Sequence, residues 1–177
     1  MPIIRQTRGR TRGREARANC AGFSLIELMV VVAVVAILAV VAYPSLGAVI
    51  NSNRLSANAN ELVASLQFAR SEAIRRNAQV SVCGSADGAT CGGAWSHWLT
   101  VLESDDSILR VAAAKAPVQI TANVSTITYR PTGLATAAAI TVCIPGESPP
   151  ENQRVVSVTV AGRVATAVAN GGGNCPS

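Results

Sequence analysis

Gly22-Phe23-Ser24-Leu25-Ile26-Glu27-Leu28 opens onto Met29 to Ala42, a run without a single polar residue. With Phe23, Leu25 and Ile26 the segment is about as long as the roughly 20 residues that cross a bilayer as a helix. A carboxylate at the edge of hydrocarbon is expensive unless it is paired, so Glu27 is a functional candidate that a plain anchor would not need. Ser24 and Glu27 also have the spacing of a helix capping box, a role compatible with the first. The weaker alternative is an ordinary secretory signal, with the small residues Ala39, Val41 and Ala42 ahead of Tyr43-Pro44.

Beyond Pro44 the apolar residues Leu55, Ala59, Leu62, Leu66, Ala69 and Ala73 recur at three- and four-residue steps, which predicts an amphipathic continuation of the helix. One helix from about Ser24 to Asn77 would be ~80 Å long, kinked near Pro44. Gly47 and the asparagines at 51, 53, 58 and 60 predict a soft or partly melted middle. Asn58, Glu61, Arg70, Glu72, Arg75 and Arg76 are assigned to other faces, and Glu72 with Arg75 or Arg76 to a surface pair.

From Gln79 onward the period changes to two. Short strands are expected at Val80–Val82, Trp95–Leu102, Ile108–Val111, Val118–Ile120, Ile127–Tyr129, Ile140–Ile144, Val156–Val160 and Val164–Val168, separated by Gly-, Pro- and Asp-containing turns. The expected fold class is α+β, a long amino-terminal transmembrane and amphipathic helix packed on an antiparallel β-sheet head. Its segments are a basic leader over 1–22, the helix over 23–77 and a β-rich head over 78–177.

The whole chain of 177 residues carries a net charge of +5, but that basicity is local. Six of the 15 basic residues are arginines at positions 5, 8, 10, 12, 14 and 17, against Glu15 alone, so residues 23–177 hold nine of each sign. Arginines beside an apolar helix keep their end in the cytoplasm and place the carboxyl-terminal head on the opposite side.

The Gly22 to Leu28 motif before an apolar helix resembles the processing and assembly signal of type IV prepilins and pseudopilins. The resemblance implies cleavage after Gly22 and methylation of the new amino terminus at Phe23 by a prepilin peptidase/N-methyltransferase. It also implies that Glu27 pairs with the terminal amine of a neighbouring subunit as the filament grows. Further along, Leu66 to Arg76, Val80-Ser-Val-Cys83, Trp95 to Leu102, Tyr129-Arg-Pro-Thr-Gly133, Ile140-Thr-Val-Cys143 and Gly162-Arg163 are similar to the GspH/FimT family. Its members are minor pseudopilins of type II secretion systems and minor pilins of type IV pili. The partners so implied are other pilins or pseudopilins and an inner-membrane assembly platform, with the head periplasmic.

Of five cysteines, cleavage would discard Cys20 and leave Cys83, Cys91, Cys143 and Cys175 for an oxidising compartment. Three pairings are open. Cys83 with Cys91, closing a Gly-rich loop, and Cys143 with Cys175, tying the tail to a strand, is the expected one.

No enzyme, metal site or cofactor is expected. His97 between Trp95 and Trp98 reads as a structural histidine, Asp105 and Asp106 as turn charges, and the tryptophans as core. The competing function is DNA binding in natural transformation, which some FimT-type members perform through a Gly-Arg-x-Arg motif. Here Gly162-Arg163-Val164-Ala165 keeps one of the two arginines, leaving Arg163, with Arg154 and Arg130, as a small candidate patch. The sequence leaves open which of the two machines the chain serves and whether it sits at tip or shaft.

Overall fold

The structure, a computed structural model, describes residues 24–146 and 149–176, with the backbone alone for 41–45. The leader, Cys20, Gly22 and Phe23 lie outside the described residues, as do the side chains around the kink expected at Pro44. The chain divides into two compact units, residues 1–40 and 41–177.

Helix α1 spans Leu25–Arg76. In the first unit Ser24 caps it, its Oγ accepting the N–H of Glu27 at 3.2 Å. It stops where Asn77 turns to a left-handed φ of 53°. There the Ala78 N–H donates to the Ala73 carbonyl at 3.2 Å, the bond that closes a Schellman-type end. The middle is helical throughout, which corrects the expectation of a melted segment. Asn58 explains part of this. It is buried, its Nδ2 donating to the Arg54 carbonyl at 2.8 Å and its Oδ1 accepting the Lys115 N–H at 3.1 Å. A poor helix former is held by a tertiary bond that no local propensity contains.

The eight expected strands all form, with shifted ends: β1 Val80–Ser85, β2 His97–Leu102, β3 Ser107–Ala113, β4 Gln119–Ala122, β5 Thr126–Tyr129, β6 Ala138–Cys143, β7 Gln153–Val158 and β8 Val164–Ala169. They make two antiparallel four-stranded sheets, ordered β3-β2-β1-β5 and β4-β6-β7-β8. Between them and the helix lies one core. All six residues of the three/four-step stripe, Leu55 to Ala73, are buried in it with Val82, Trp98, Ile127, Tyr129, Ile140, Val142 and Val156.

Strand β1 departs from simple alternation, since every one of its residues is buried. Val80 and Val82 face the core, and alternation turns Ser81, Cys83 and Ser85 to the other side. That side is closed by the Cys83–Cys91 loop and by the Ser81 Oγ···Thr128 Oγ1 bond of 2.8 Å. Cys143–Cys175 is the second disulfide, as expected. Beside it Asn152, fully buried, donates to the Ile144 carbonyl and accepts the Gly171 N–H, fastening the tail to β6 and β7.

Both tryptophans are core. Trp95 Nε1 donates to the Val124 carbonyl at 3.2 Å, and Trp98 Nε1 to Ser65 Oγ at 3.0 Å on the helix. Glu72 is likewise not the exposed partner expected. Its carboxylate is largely buried and accepts from Arg75 at 2.6 and 3.0 Å and from Arg76 at 2.6 Å. These bonds, that of Arg75 foremost, lower its pKa from the ordinary 4.5 to about 2. A depressed carboxylate contributes stability above its unfolded value and loses it as pH falls through the folded one. The difference in melting temperature between the wild type and Glu72→Gln should therefore be full above pH 5 and shrink between about pH 4.5 and 2.

Candidate functional site

At the start of the helix, the carbonyl of Ser24 accepts the N–H groups of Glu27 (3.1 Å) and Leu28 (3.2 Å), and its Oγ takes the Glu27 N–H a second time. The reciprocal half of a capping box, from the Glu27 carboxylate to the Ser24 N–H, is not among the described hydrogen bonds. The carboxylate is exposed and has no partner among the described residues. Every side chain from Leu25 to Val40 is exposed as well. A helix apolar on all faces has no inner side to bury against its own domain, and it needs lipid or other helices around it. Among the described residues no helix is long and apolar enough to cross a membrane. The apolar sequence continues through Val41 and Ala42 into residues whose side chains are not described.

In the second unit, the arginine candidates sit on turns. Gly162 has φ +70°, and a Cβ there would collide with the Gly133 carbonyl oxygen, so two turns, 130–133 and 159–162, are in backbone contact. Arg70 on α1 lies over both, and its Nη2 donates to the Ala161 carbonyl at 3.3 Å. Arg163 and Arg70 border one open cavity of about 460 Å³ with Gln67, Ser71 and Ile74. Arg130 borders another with Gln79 and Thr136. Arg154 is elsewhere, at the opposite end of β7, donating to Ser52 Oγ at 3.1 Å and to the carbonyls of Glu151 and Gln153. Arg163 and Arg130 thus adjoin through their turns, while Arg154 is engaged in holding β7 to the helix.

The glycine of the Gly-Arg pair has a packing reason independent of any ligand. Gly162→Ala should cost at least ~2 kcal/mol, from the left-handed φ and the backbone contact together, read as a lowered denaturant midpoint with an unchanged m-value.

Other ionisable groups serve structure. The Asp87 carboxylate is held well below the usual range by the N–H groups of Ala89 and Thr90, then by Ser85 and the Thr90 hydroxyl. It organises the 85–90 turn. Asp105 is lowered by the hydroxyl and N–H of Ser107 in the β2–β3 turn. His97 is half-buried, its ring packed beside Gly88. Burial raises Tyr129 to about 12, the Arg70 charge opposing it. Among the described residues no cluster of His, Cys, Asp and Glu could hold a metal ion. Sequence reasoning missed Arg70, Asn58 and Asn152. A poor helix former inside an otherwise regular stripe was the one available signal, and it marked Asn51, Asn53 and Asn60 as much as Asn58.

Comparison with known proteins finds matches to both ends of the helix and to the head. Residues 58–162 match the family described as type II transport protein GspH, and residues 17–43 match the prokaryotic N-terminal methylation motif. The crystal structure of the type IV minor pilin FimU of Pseudomonas aeruginosa is similar over 66% of this chain and 90% of its own, at 25% identity and TM-score 0.55. The minor pseudopilin EpsH from the type 2 secretion system of Vibrio cholerae shares the fold at 14% identity and TM-score 0.52, covering 65% of this chain and 97% of its own. No curated protein sequence matches.

Proposed function

The chain belongs to the GspH family of minor pseudopilins and minor pilins, and on that basis we propose that it is an inner-membrane precursor cleaved after Gly22 and assembled into a secretion or pilus filament. Prepilin peptidase would cut the leader and methylate Phe23. The apolar helix would anchor the subunit and then pass from lipid into the filament core, with the disulfide-bonded head in the periplasm. An assembly platform in the inner membrane would supply the driving force, and other pilins or pseudopilins the neighbours.

The observation that carries this reading is the carboxylate of Glu27, exposed and without a partner among the described residues, on a helix segment exposed on all faces from Leu25 to Val40. In a filament core such a charge is tolerable only opposite a positive one, and cleavage at Gly22 creates a terminal amine a short distance away in sequence. Two disulfides among the head's strands agree with an oxidising compartment. DNA binding is left out of the proposal. Alanine stands at position 165 where a second arginine would be needed, and Arg154 is occupied with Ser52.

Mass spectrometry of the membrane-expressed protein, with and without prepilin peptidase, tests the reading. The expected product begins at methylated Phe23 and contains four oxidised cysteines. A product beginning at Tyr43 would show a released periplasmic domain and remove Glu27 from any assembly role. Deletion strains scored for secretion and for piliation then separate the two machines.

A further inference from the structure

Strand β8 is an outer edge of its sheet, and its sequence carries no charge, no proline and no bulge. The other edges are blunted. Strand β3 carries Arg110 and faces an irregularity at Thr100/Val101, β4 has four residues, and β5 has four and is partly covered through Thr136 and Ala135. Such devices protect edges against pairing with other chains. On β8 none is present.

The direction of its free groups follows from the hairpin. The Thr159 N–H donates to the Arg163 carbonyl at 3.0 Å, making that opposed pair a hydrogen-bonded one. Alternation then gives the bonds to β7 to Ala165, Ala167 and Ala169, and turns the N–H and C=O groups of Val164, Thr166 and Val168 outward. None of these three bonds to another described backbone group outside the strand. Two apolar side chains near this edge are uncovered: Val168 is 59% exposed and Ile74, which borders the same cavity as Val164, 52%.

The sequence Val164-Ala165-Thr166-Ala167-Val168 reads the same in both directions. We propose that this edge pairs antiparallel with β8 of a second copy of the chain, about a two-fold axis through Thr166. That register puts Val164 opposite Val168 of the second copy, Ala165 opposite Ala167, and Thr166 opposite Thr166. The outward groups of 164, 166 and 168 then meet in hydrogen-bonded pairs, each exchanging two N–H···O bonds. Valine pairs and a threonine pair are favourable cross-strand neighbours, and a one-residue slip would turn them to the wrong face. Charge is no obstacle. The two Arg163 side chains lie at opposite ends of the paired segment, ~20 Å apart at about 3.3 Å per residue and so beyond the screening length. Five small residues per copy bury far less than the ~1,200 Å² of a stable interface, so the contact needs copies held at high local concentration. For that concentration alone the inference rests on the membrane-anchored reading above.

Full-length protein in native membranes, with Cys20→Ser to remove the leader thiol, is the sample for the test. Mild oxidation of Thr166→Cys should give a covalent homodimer in roughly tenfold higher yield than Ala165→Cys alone, whose thiols are offset across the axis. Co-expressed Ala165→Cys and Ala167→Cys copies should cross-link to each other. Adding Thr166→Lys to both should abolish that product, and Thr166→Lys on one with Thr166→Glu on the other should restore it. Thr166→Pro removes only an outward N–H, so it should keep both native disulfides while lacking the dimer when combined with the 165/167 pair. Equal cross-linking of Thr166→Cys and Ala165→Cys, no homodimer at all, or a bridge from position 166 to a different polypeptide would overturn the pairing. Fractionation of the same sample reports separately whether the chain is anchored, and the cross-link is scored in whichever fraction holds it.

Discussion

Glu27→Ala should insert into the membrane as well as the wild type and lose at least about tenfold of its incorporation into filaments, because a buried terminal amine left without its counter-ion costs several kcal/mol. The prediction separates insertion from assembly. On the proposed function, insertion would depend on the apolar surface from Leu25 to Val40, which the substitution extends. On the same reading, assembly would depend on a carboxylate that has no partner within its own chain among the described residues. Glu27→Asp keeps the charge on a shorter arm and should recover part of the incorporation. Glu27→Gln keeps the shape without the charge and should behave like alanine. The measurement is the ratio of subunit in sheared or detergent-resistant filaments to subunit in the membrane. Equal ratios for wild type and Glu27→Gln would show that the carboxylate has no electrostatic role in assembly.

The largest effect on the head should come from Trp98→Ala, at ~3–5 kcal/mol, the usual cost of emptying a large aromatic site. Trp98 is 1% exposed and reaches from β2 into the helix, where its indole N–H meets Ser65. Trp98→Phe should cost less, since most of the volume stays. Ser65→Ala should cost about 1–3 kcal/mol because it leaves a buried indole N–H without an acceptor. In the double variant Ser65→Ala/Trp98→Phe the two costs should fall short of additivity, since neither can lose a bond the other has removed. Denaturant unfolding with both disulfides intact gives all four values. A Trp98→Ala cost under about 1 kcal/mol would mean that helix and sheet are held mainly by the disulfide-bonded strands rather than by this contact.

The character of each segment was legible before any coordinates. The stripe from Leu55 to Ala73 advances by steps of four and three, and a helix of 3.6 residues per turn can bury such a stripe on one side only. Each of the eight strands begins or ends at a turn signal, and both disulfides close loops that the spacing of the cysteines favours. The capping serine and the exposed carboxylate also belong to one short stretch, where residue order alone sets geometry.

What the order of residues left undecided depends on partners far away in the chain. That strands separate into two sheets, with β5 joining β1 and β4 joining β6, is a choice among long-range pairings of similar local quality. Asn58 and Glu72 were assigned outward by polarity and turned inward, because a carbonyl, a distant N–H or two arginines satisfy them there. Gly162 is required by a carbonyl of another turn, and β8 is an open edge because, among the described residues, β7 is the one strand paired with it. Periodicity and capping act within a few residues and survive in the bare sequence. Burial of a polar group and exposure of a strand edge are properties of the assembled surface, so only the tertiary structure could decide them.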